Sequence, residues 1–225
     1  MRKIDYKDWS EYLLALFRNF GVSDEKVLEL GGGNGIIASH LSKYFPEVYL
    51  TDLSKEMLLK SKGSNLLRVC CDMRNIPFKK EFGLIYSTFD SVNYMLTLKD
   101  LRKMFDSVYS VCGEDTIFTF DASLEKNSKK YEKQLNRQGK YKGINFVQKS
   151  RYDEKKRLHY NCFELLMPDG ATLTETHIQK IYKFETFFKI IDDTGFYVVD
   201  CFDAFSFDKA GENSLRAQFI VKKQR

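Results

Sequence analysis

Apolar side chains recur at helical spacing over the first twenty positions of the chain. The residues that share this spacing are Trp9, Tyr12, Leu13, Leu16, Phe17 and Phe20. Side chains three or four positions apart lie on one face of a helix, and a glycine such as Gly21 favours its end. The pattern predicts an amphipathic helix over residues 7–19.

Short apolar runs then alternate with helical patterns as far as residue 120. The runs predicted to be strands cover residues 26–30, 48–51, 66–71, 82–88 and 116–120. Helical patterns begin at Ile36 and at Ser54, and a third covers residues 98–111. Strands that alternate with helices are joined by right-handed crossovers, and this arrangement gives a parallel sheet.

The alternation stops after residue 120. Residues 121–142 are polar and rich in lysine, and we expect a helical segment there. Three runs of strand-like composition follow, at residues 144–152, 158–167 and 171–181. Because turn-forming residues such as Pro168-Asp169-Gly170 separate these runs, the pattern predicts an antiparallel meander.

The last segments are a predicted helix over residues 184–193 and predicted strands over 196–202 and 217–222. The whole pattern predicts an α/β fold with a doubly wound, Rossmann-like sheet of seven strands, the last of them antiparallel. The meander would form an antiparallel β cap inserted between strands five and six.

The composition is that of a globular protein. The 225 residues are 43% hydrophobic and 30% charged, with only 3 prolines, and a domain contains about 150 residues on average. No apolar run reaches the roughly 18 residues of a membrane span, and the N-terminus lacks the apolar stretch of a signal peptide. We therefore expect one cytoplasmic domain without membrane contact, and five free thiols rather than a metal site.

Positive charge is concentrated in one stretch. Residues 125–157 contain 12 basic and 4 acidic side chains, a net charge of +8, whereas the whole chain carries +5. Such a stretch could attract an acidic substrate or RNA, or it could be a solvated face.

A glycine turn follows the first predicted strand. Gly31, Gly33 and Gly35 lie between this strand and the next helix, where residues without a Cβ let a ligand approach the backbone. The dinucleotide fingerprint requires a third glycine where Ile36 stands, which argues against NAD and FAD. Asp52, 21 residues after Gly31, ends the second strand, where a carboxylate can accept hydrogen bonds from both ribose hydroxyls.

Two segments resemble a known family at this point. Residues 27–35, Val-Leu-Glu-Leu-Gly-Gly-Gly-Asn-Gly, are similar to the first motif of class I S-adenosylmethionine-dependent methyltransferases, and residues 51–58 are similar to the second. Residues 71–78 resemble the family's adenine-edge loop, and residues 82–94 resemble its fourth strand and substrate-facing loop. The resemblance extends over residues 6–223. It is strongest to a small-molecule branch that includes uncharacterised bacterial methyltransferases, sugar-amine N,N-dimethyltransferases and glycine N-methyltransferase.

The resemblance implies one methyltransferase domain over residues 1–225. Residues 1–120 would form the cofactor-binding core with its N-terminal helix, residues 121–182 the helical and β cap, and residues 183–225 the completion of the sheet. The cofactor would be S-adenosyl-L-methionine. Its implied binding residues are Trp9, Tyr12, Glu29, Gly31, Gly33, Gly35, Asp52, Leu53, Met57, Asp72, Met73 and Phe89.

Some of these residues have an implied partner on the cofactor. Glu29 would contact the methionine ammonium directly or through water, and Asp72 would accept the adenine amino group. Asp72 could instead cap a turn, Glu29 could be purely structural, and Phe89 could be a core residue. Trp9 and Tyr12 could be core residues, because their helical spacing is typical of a core, although in this family the opening helix covers the cofactor.

Three residues are candidates for chemistry. Asp90 and Tyr94 follow the fourth strand, where open α/β sheets bind ligands, and His177 lies on the last strand of the predicted cap. We expect Asp90 to orient or neutralise an ammonium substrate and His177 or Tyr94 to receive its proton, since a neutral imidazole accepts a proton near pH 7. His177 and Tyr94 could also be structural residues.

The function that these features predict is methyl transfer to a small-molecule nucleophile, with an amine favoured. One alternative is an RNA methyltransferase that uses the basic stretch 125–157. Against it, the loop directly after the fourth strand contains neither an Asn/Asp-Pro-Pro-Tyr motif nor a cysteine. The other alternative is a cofactor-binding module without catalysis.

Overall fold

The computed structural model describes residues 5–22, 26–63, 65–141 and 143–224. The helices are α1 (Tyr6–Asn19), α2 (Ile36–Leu41), α3 (Lys55–Leu59), α4 (Leu98–Tyr109), α5 (Glu125–Gln134) and α6 (Phe184–Asp193). The core strands are β1 (Lys26–Leu30), β2 (Glu47–Asp52), β3 (Leu66–Cys70), β4 (Phe82–Ser87), β5 (Cys112–Ser123), β10 (Phe196–Asp203) and β11 (Arg216–Lys223). The remaining strands are β6 (Arg137–Tyr141), β7 (Ile144–Asp153), β8 (Leu158–Leu166) and β9 (Thr172–Lys180).

The core strands form one seven-stranded sheet in the order β10-β11-β5-β4-β1-β2-β3. Strands β1 to β5 are parallel to one another, whereas β11 is antiparallel to both β5 and β10. This topology confirms the predicted doubly wound sheet with an antiparallel last strand. The carboxyl ends of β1, β2, β4 and β5 therefore meet along one edge of the sheet.

Helices cover both faces of this sheet. On one face, Leu13, Leu16 and Phe17 of α1 join a buried cluster with strand residues such as Leu84 and Ile220. On the other face, α4 and α6 pack against β5 and β11, with ring pairs such as Phe105–Phe118. Each large apolar side chain buried in this way contributes about 1.5–3 kcal/mol. The two layers fix the strand ends that carry the polar side chains described below.

The second sheet is antiparallel, in the order β6-β7-β8-β9, and it forms the cap. The predicted meander corresponds to β7, β8 and β9, but the expectation of one helical segment over residues 121–142 was wrong. Helix α5 ends at Gln134 and strand β6 follows. Asn136 makes the turn between them, because its amide nitrogen donates to Glu132 O and Ser150 O while its oxygen accepts from Ser150 N.

The cap is held to the core by buried polar contacts. Asn93 accepts from Ser123 N at 2.9 Å and donates to Lys180 O at 2.8 Å, which joins the turn after β4 to the ends of β5 and β9. His159 of β8 lies between the hydroxyl groups of Ser150 and Ser128, at 2.7 and 2.9 Å. No helix within the described residues has both the length and the apolar character needed to cross a membrane.

Candidate active site

The glycine turn between β1 and α2 has the conformation that the sequence predicts. Gly31, Gly33 and Gly35 all adopt positive φ angles, of 64°, 59° and 66°. A Cβ at Gly31 would lie 3.1 Å from Met73 Cε and Ser91 Oγ, so a side chain would fill the space above the turn. The missing side chains leave room for a ligand to approach the backbone of the turn at the carboxyl edge of the sheet.

Asp52 ends β2 beside this turn. One of its carboxylate oxygens accepts a hydrogen bond from Gly33 N and the other from Ser54 N, both at 2.8 Å. These two amides fix the direction of the carboxylate, and each oxygen keeps lone pairs for a further partner. Asp52 is thereby positioned where a ribose could bind.

Apolar side chains surround the turn at the same edge. Leu53 is 70% exposed and Met57 is 37% exposed, although both are large and apolar. Met57 Cε lies 3.4 Å from where a Cβ of Gly33 would be, and Met73 packs partly buried against the core. Exposed apolar groups next to polar ones are typical of a ligand cleft.

Glu29 lies behind the glycine turn and is 1% exposed. A Cβ on Gly32 would be 2.6 Å from its carboxyl carbon, so the turn packs directly on the carboxyl group. One carboxyl oxygen, Oε2, makes no hydrogen bond, and the same is true of the neighbouring buried hydroxyl of Tyr86. Burial raises the pKa of Glu29 to about 8.

Asp72 is already engaged within the protein. Arg74 Nη2 donates to Asp72 Oδ2 at 2.6 Å, and Arg74 Nη1 donates to Asp100 Oδ1 at 2.7 Å. The hydrogen bonds from Arg74 lower the pKa of Asp72. The carboxylate is therefore ionised and oriented by an arginine, and its contact with adenine stays a prediction.

Trp9 and Tyr12 of α1 lie in an aromatic cluster over the end of β4. The Trp9 ring is 4.8 Å from that of Phe89 and 4.4 Å from that of Phe205, and Tyr12 packs on Phe205 at 5.4 Å. Both α1 residues are buried, as a core role would require, and the Tyr12 hydroxyl has no hydrogen-bond partner. Their contact with the cofactor stays a prediction.

Tyr94 and His177, predicted from distant parts of the sequence, are in contact. Tyr94 ends a 3-10 turn, Ser91–Tyr94, after β4, and its hydroxyl lies 2.8 Å from His177 Nδ1 on cap strand β9. The other imidazole nitrogen, Nε2, lies 3.2 Å from Glu175 Oε1. Glu175 was not among the predicted site residues, although its position two residues before His177 on a strand indicates a shared face.

Asp90 is also placed at this edge, but its carboxylate is not free. Both terminal nitrogens of Arg216 donate to Asp90 Oδ1 at 3.1 Å, and Gln179 Nε2 donates to Oδ2 at 3.0 Å. Arg216 also pairs with the fully buried Asp121. This changes the expected role of Asp90, because an ammonium substrate would have to compete with Arg216 for it.

Sequence reasoning missed Asp121 and Arg216. Asp121 Oδ2 accepts from Asp90 N at 2.9 Å, which holds a turn where Phe89 and Asp90 have φ angles of 57° and 50°. Such left-handed backbone costs about 1–3 kcal/mol per residue and is concentrated at functional sites. The available signal was a charged residue within the apolar run of β5.

Three comparisons with known proteins find methyltransferases that are similar to this chain. Residues 27–115 match the model of a methyltransferase domain. A "putative methyltransferase" of Geobacillus sp. strain WCH70 is 23% identical to this chain, and the alignment covers 99% of this chain and 95% of the Geobacillus protein.

Two solved structures share the fold. An S-adenosylmethionine-dependent methyltransferase from Clostridium acetobutylicum ATCC 824 has a TM-score of 0.84 at 24% identity, covering 99% of this chain and 94% of its own. The sugar N-methyltransferase KedS8 from Streptoalloteichus sp. ATCC 53650 has a TM-score of 0.78 at 13% identity, covering 100% and 90%.

The residues at the sheet edge suit S-adenosylmethionine. The three positive-φ glycines make room that a Cβ would fill, and Asp52 offers oriented oxygens for a ribose. Behind the turn, Oε2 of the buried Glu29 has no hydrogen-bond partner and can accept one from a ligand or a water molecule. The space above the turn and the carboxyl oxygens beside it therefore fit a cofactor with a ribose and an ammonium group.

Proposed function

We propose that this chain, a class I S-adenosylmethionine-dependent methyltransferase by its domain match, fold and relatives, methylates an amine of a small molecule. The observation that carries the proposal is the 2.8 Å hydrogen bond between Tyr94 and His177, where the cap meets the open edge of the sheet. KedS8, which shares the fold, is a sugar N-methyltransferase, and this supports an amine as acceptor.

An amine needs a proton acceptor for this reaction. When bound, S-adenosylmethionine supplies a methyl group on a positively charged sulfur, which an uncharged amine can displace. Most amines are protonated at neutral pH and then lack the lone pair that attacks. A group near the amine must therefore take a proton, and His177 is suited to this because a ring nitrogen of a neutral imidazole can act as a general base.

The chain's other residues would bind and orient. We propose that Asp52 holds the ribose hydroxyls, that the open side of the glycine turn and Glu29 serve the methionine end, and that Asp72 serves the adenine. Alignment of two reactants in a water-poor cleft can supply several kcal/mol of the barrier lowering. The cap would exclude water from the Tyr94 side of this cleft.

Asp90 receives a different role from the one its sequence position suggested. Its pairing with Arg216 and Gln179 supports a positioning role, in which it ties the strained turn after β4 to cap strand β9. Asp90, Asp121 and Arg216 together hold two carboxyl groups and one guanidinium, so an ionised cluster keeps a net negative charge. That charge would favour the approach of a cationic amine.

A turnover screen with labelled cofactor tests the proposal. The acceptors are simple amines, amino sugars, hydroxy acids, sugars and transfer RNA, and we expect label only on amines. Label confined to oxygen acceptors or to RNA would refute amine methylation.

His177→Asn identifies the proton acceptor among the same reactions. It keeps a polar group of similar size and removes the titratable ring, so we expect turnover to fall about 10²- to 10⁴-fold while cofactor binding survives. The matched control is His40→Asn on α2. The His40 ring lies outside this site, and its Nδ1 is 3.0 Å from the Ser10 hydroxyl. Full activity of His177→Asn would exclude His177 as the acceptor.

A further inference from the structure

Cap strand β9 presents two polar side chains to the site from one face. Glu175 and His177 are two positions apart, so they project from the same side of the strand. Glu175 Oε1 is 3.2 Å from His177 Nε2, and Tyr94 Oη is 2.8 Å from His177 Nδ1. On the next strand, Phe163 packs edge-on against the imidazole at 5.8 Å. The ring is thus held between a phenol of the core and a carboxylate of the cap.

These contacts define where the imidazole carries its proton. Glu175 lies 3.2 Å from Nε2, and because a carboxylate only accepts protons from its partners, this ion-pair contact favours the neutral ring with its proton on Nε2 and with Nδ1 as an acceptor. Burial, and next the charges of Asp90 and Glu175, raise the pKa of Tyr94. The phenol therefore stays protonated and donates to Nδ1, which leaves its oxygen lone pairs free to accept from a substrate N–H.

We infer that Glu175 is a positioning residue for methyl transfer: it selects the His177 tautomer whose Nδ1 can take a proton through Tyr94. This inference rests on the proposed amine methylation. It assigns direct substrate contact to the Tyr94 oxygen, proton storage to His177, and orientation of the ring to Glu175.

The proton movement is balanced in this arrangement. The bound ammonium must lose one proton before its nitrogen can attack the methyl group. One N–H bond breaks as its proton moves to the Tyr94 oxygen, while the phenol proton moves to His177 Nδ1. The freed lone pair then forms the carbon–nitrogen bond while the carbon–sulfur bond of the donor breaks and leaves its electron pair on sulfur. The N-methyl amine carries one positive charge, and the imidazolium is paired with Glu175. Since the Glu175 side chain is 68% exposed, the outer end of this chain reaches water, to which the imidazolium can lose a proton.

Nitrogen NMR of protein labelled in its histidine rings tests the tautomer without substrate. The chain has 3 histidines, so the signals can be assigned by single substitutions. At a pH where the His177 ring is neutral, we expect its proton on Nε2 in the wild type. In Glu175→Ala we expect a population with the proton on Nδ1, whereas His40 and His159 should not change.

Kinetics give the second readout. Because the Glu175–His177 pair is partly exposed, we expect Glu175→Ala to lower kcat by about 2- to 5-fold with little change in KM. The matched control is Glu164→Ala, which removes another cap glutamate with one partner, Lys149 at 3.0 Å, from the opposite face of the sheet. Glu164→Ala should leave both kcat and the tautomer of His177 unchanged.

Two failures can be told apart. If the wild type methylates amines and His177→Asn is inactive, but Glu175→Ala retains both the wild-type tautomer and kcat, the role of Glu175 is overturned and the proposed function stands. If the wild type methylates no amine, both are overturned.

Discussion

Among single residues, buried Glu29 gives stability a defined dependence on pH. Burial, opposed by Tyr86 and the Ala38 backbone, raises its pKa from 4.5 to about 8. The folded state therefore keeps a proton that the unfolded chain loses between these values. The resulting stabilisation is fully present below pH 4.5 and is lost as the pH rises through about 8.

Glu29→Gln should flatten this pH dependence, because an amide does not titrate. For the wild type we expect the free energy of unfolding to fall by a few kcal/mol between pH 5 and pH 9, and for Glu29→Gln to fall less. Urea unfolding at both pH values measures the difference. Glu11→Gln, at an exposed position on α1, is the control. Equal slopes in Glu29→Gln and the wild type would show that Glu29 is ionised in the folded state.

Asp52 is the residue on which the ribose contact depends. Asp52→Ala should weaken S-adenosylmethionine binding by about 1.5–3 kcal/mol, since a charged acceptor of two hydrogen bonds is lost. The change also removes the acceptor of Gly33 N and Ser54 N, so Asp52→Asn is the sharper comparison. Calorimetric titration measures both variants, and an unchanged dissociation constant in a folded Asp52→Ala would leave Asp52 a purely structural role.

For the secondary-structure elements, the joint between α5 and the cap sheet depends on neutral His159. Burial lowers the pKa of His159, whose two ring nitrogens contact Ser128 and Ser150. Its unfolded pKa is about 6.5, so its contribution to stability is present above that value and is lost as the pH falls through the lower folded value.

His159→Gln should therefore reduce the loss of stability on acidification. We expect the wild type to lose stability between pH 7 and pH 5 more steeply than this variant, as measured by urea unfolding. Hydrogen exchange in β7 and β8 should report the same loosening, because His159 links these strands to α5. A variant as acid-sensitive as the wild type would show that another group controls this range.

The helix and strands of the cap carry the basic stretch 125–157, with its net charge of +8. Several of its cations are paired, for example Lys129 with Glu125 and Glu154 at 3.3 Å. Reversal of Lys126, Lys130 and Lys133 on α5 to glutamate should leave cofactor affinity intact and change small-substrate turnover modestly. Any effect should shrink with added salt, since exposed charges are screened beyond about 8–10 Å. RNA retention by the wild type that the reversal abolishes would instead support the RNA alternative.

Strand β6 is an element that the sequence pattern could not predict. Residues 137–141, Arg-Gln-Gly-Lys-Tyr, have no alternation of apolar and polar positions, so periodicity could not identify them as a strand. These residues form a strand because they pair with β7 and because the turn at Asn136 directs the chain toward it. By contrast, the core strands are short apolar runs bounded by turns, and their order followed from connection rules.

In the whole molecule, the sheet edge gathers residues that are far apart in sequence. The glycine turn and Asp52 could be predicted, because they lie at fixed distances within one strand–helix–strand unit. The Tyr94–His177 pair was predicted as two separate candidates, and its 2.8 Å contact required the docking of the cap. Asp121 and Arg216 could not be predicted, since they come together only where β11 runs antiparallel beside β5.

Calorimetric titration with S-adenosylmethionine, its demethylated product and NAD tests the site at this edge most directly. The glycine turn lacks the third glycine of the dinucleotide fingerprint, and Asp52 and Glu29 suit a ribose and an ammonium group. We expect S-adenosylmethionine and its demethylated product to bind and NAD to give no measurable heat. Comparable affinity for NAD, or no heat with either S-adenosylmethionine or its demethylated product, would contradict a methyl-donor site at the carboxyl edge of this sheet.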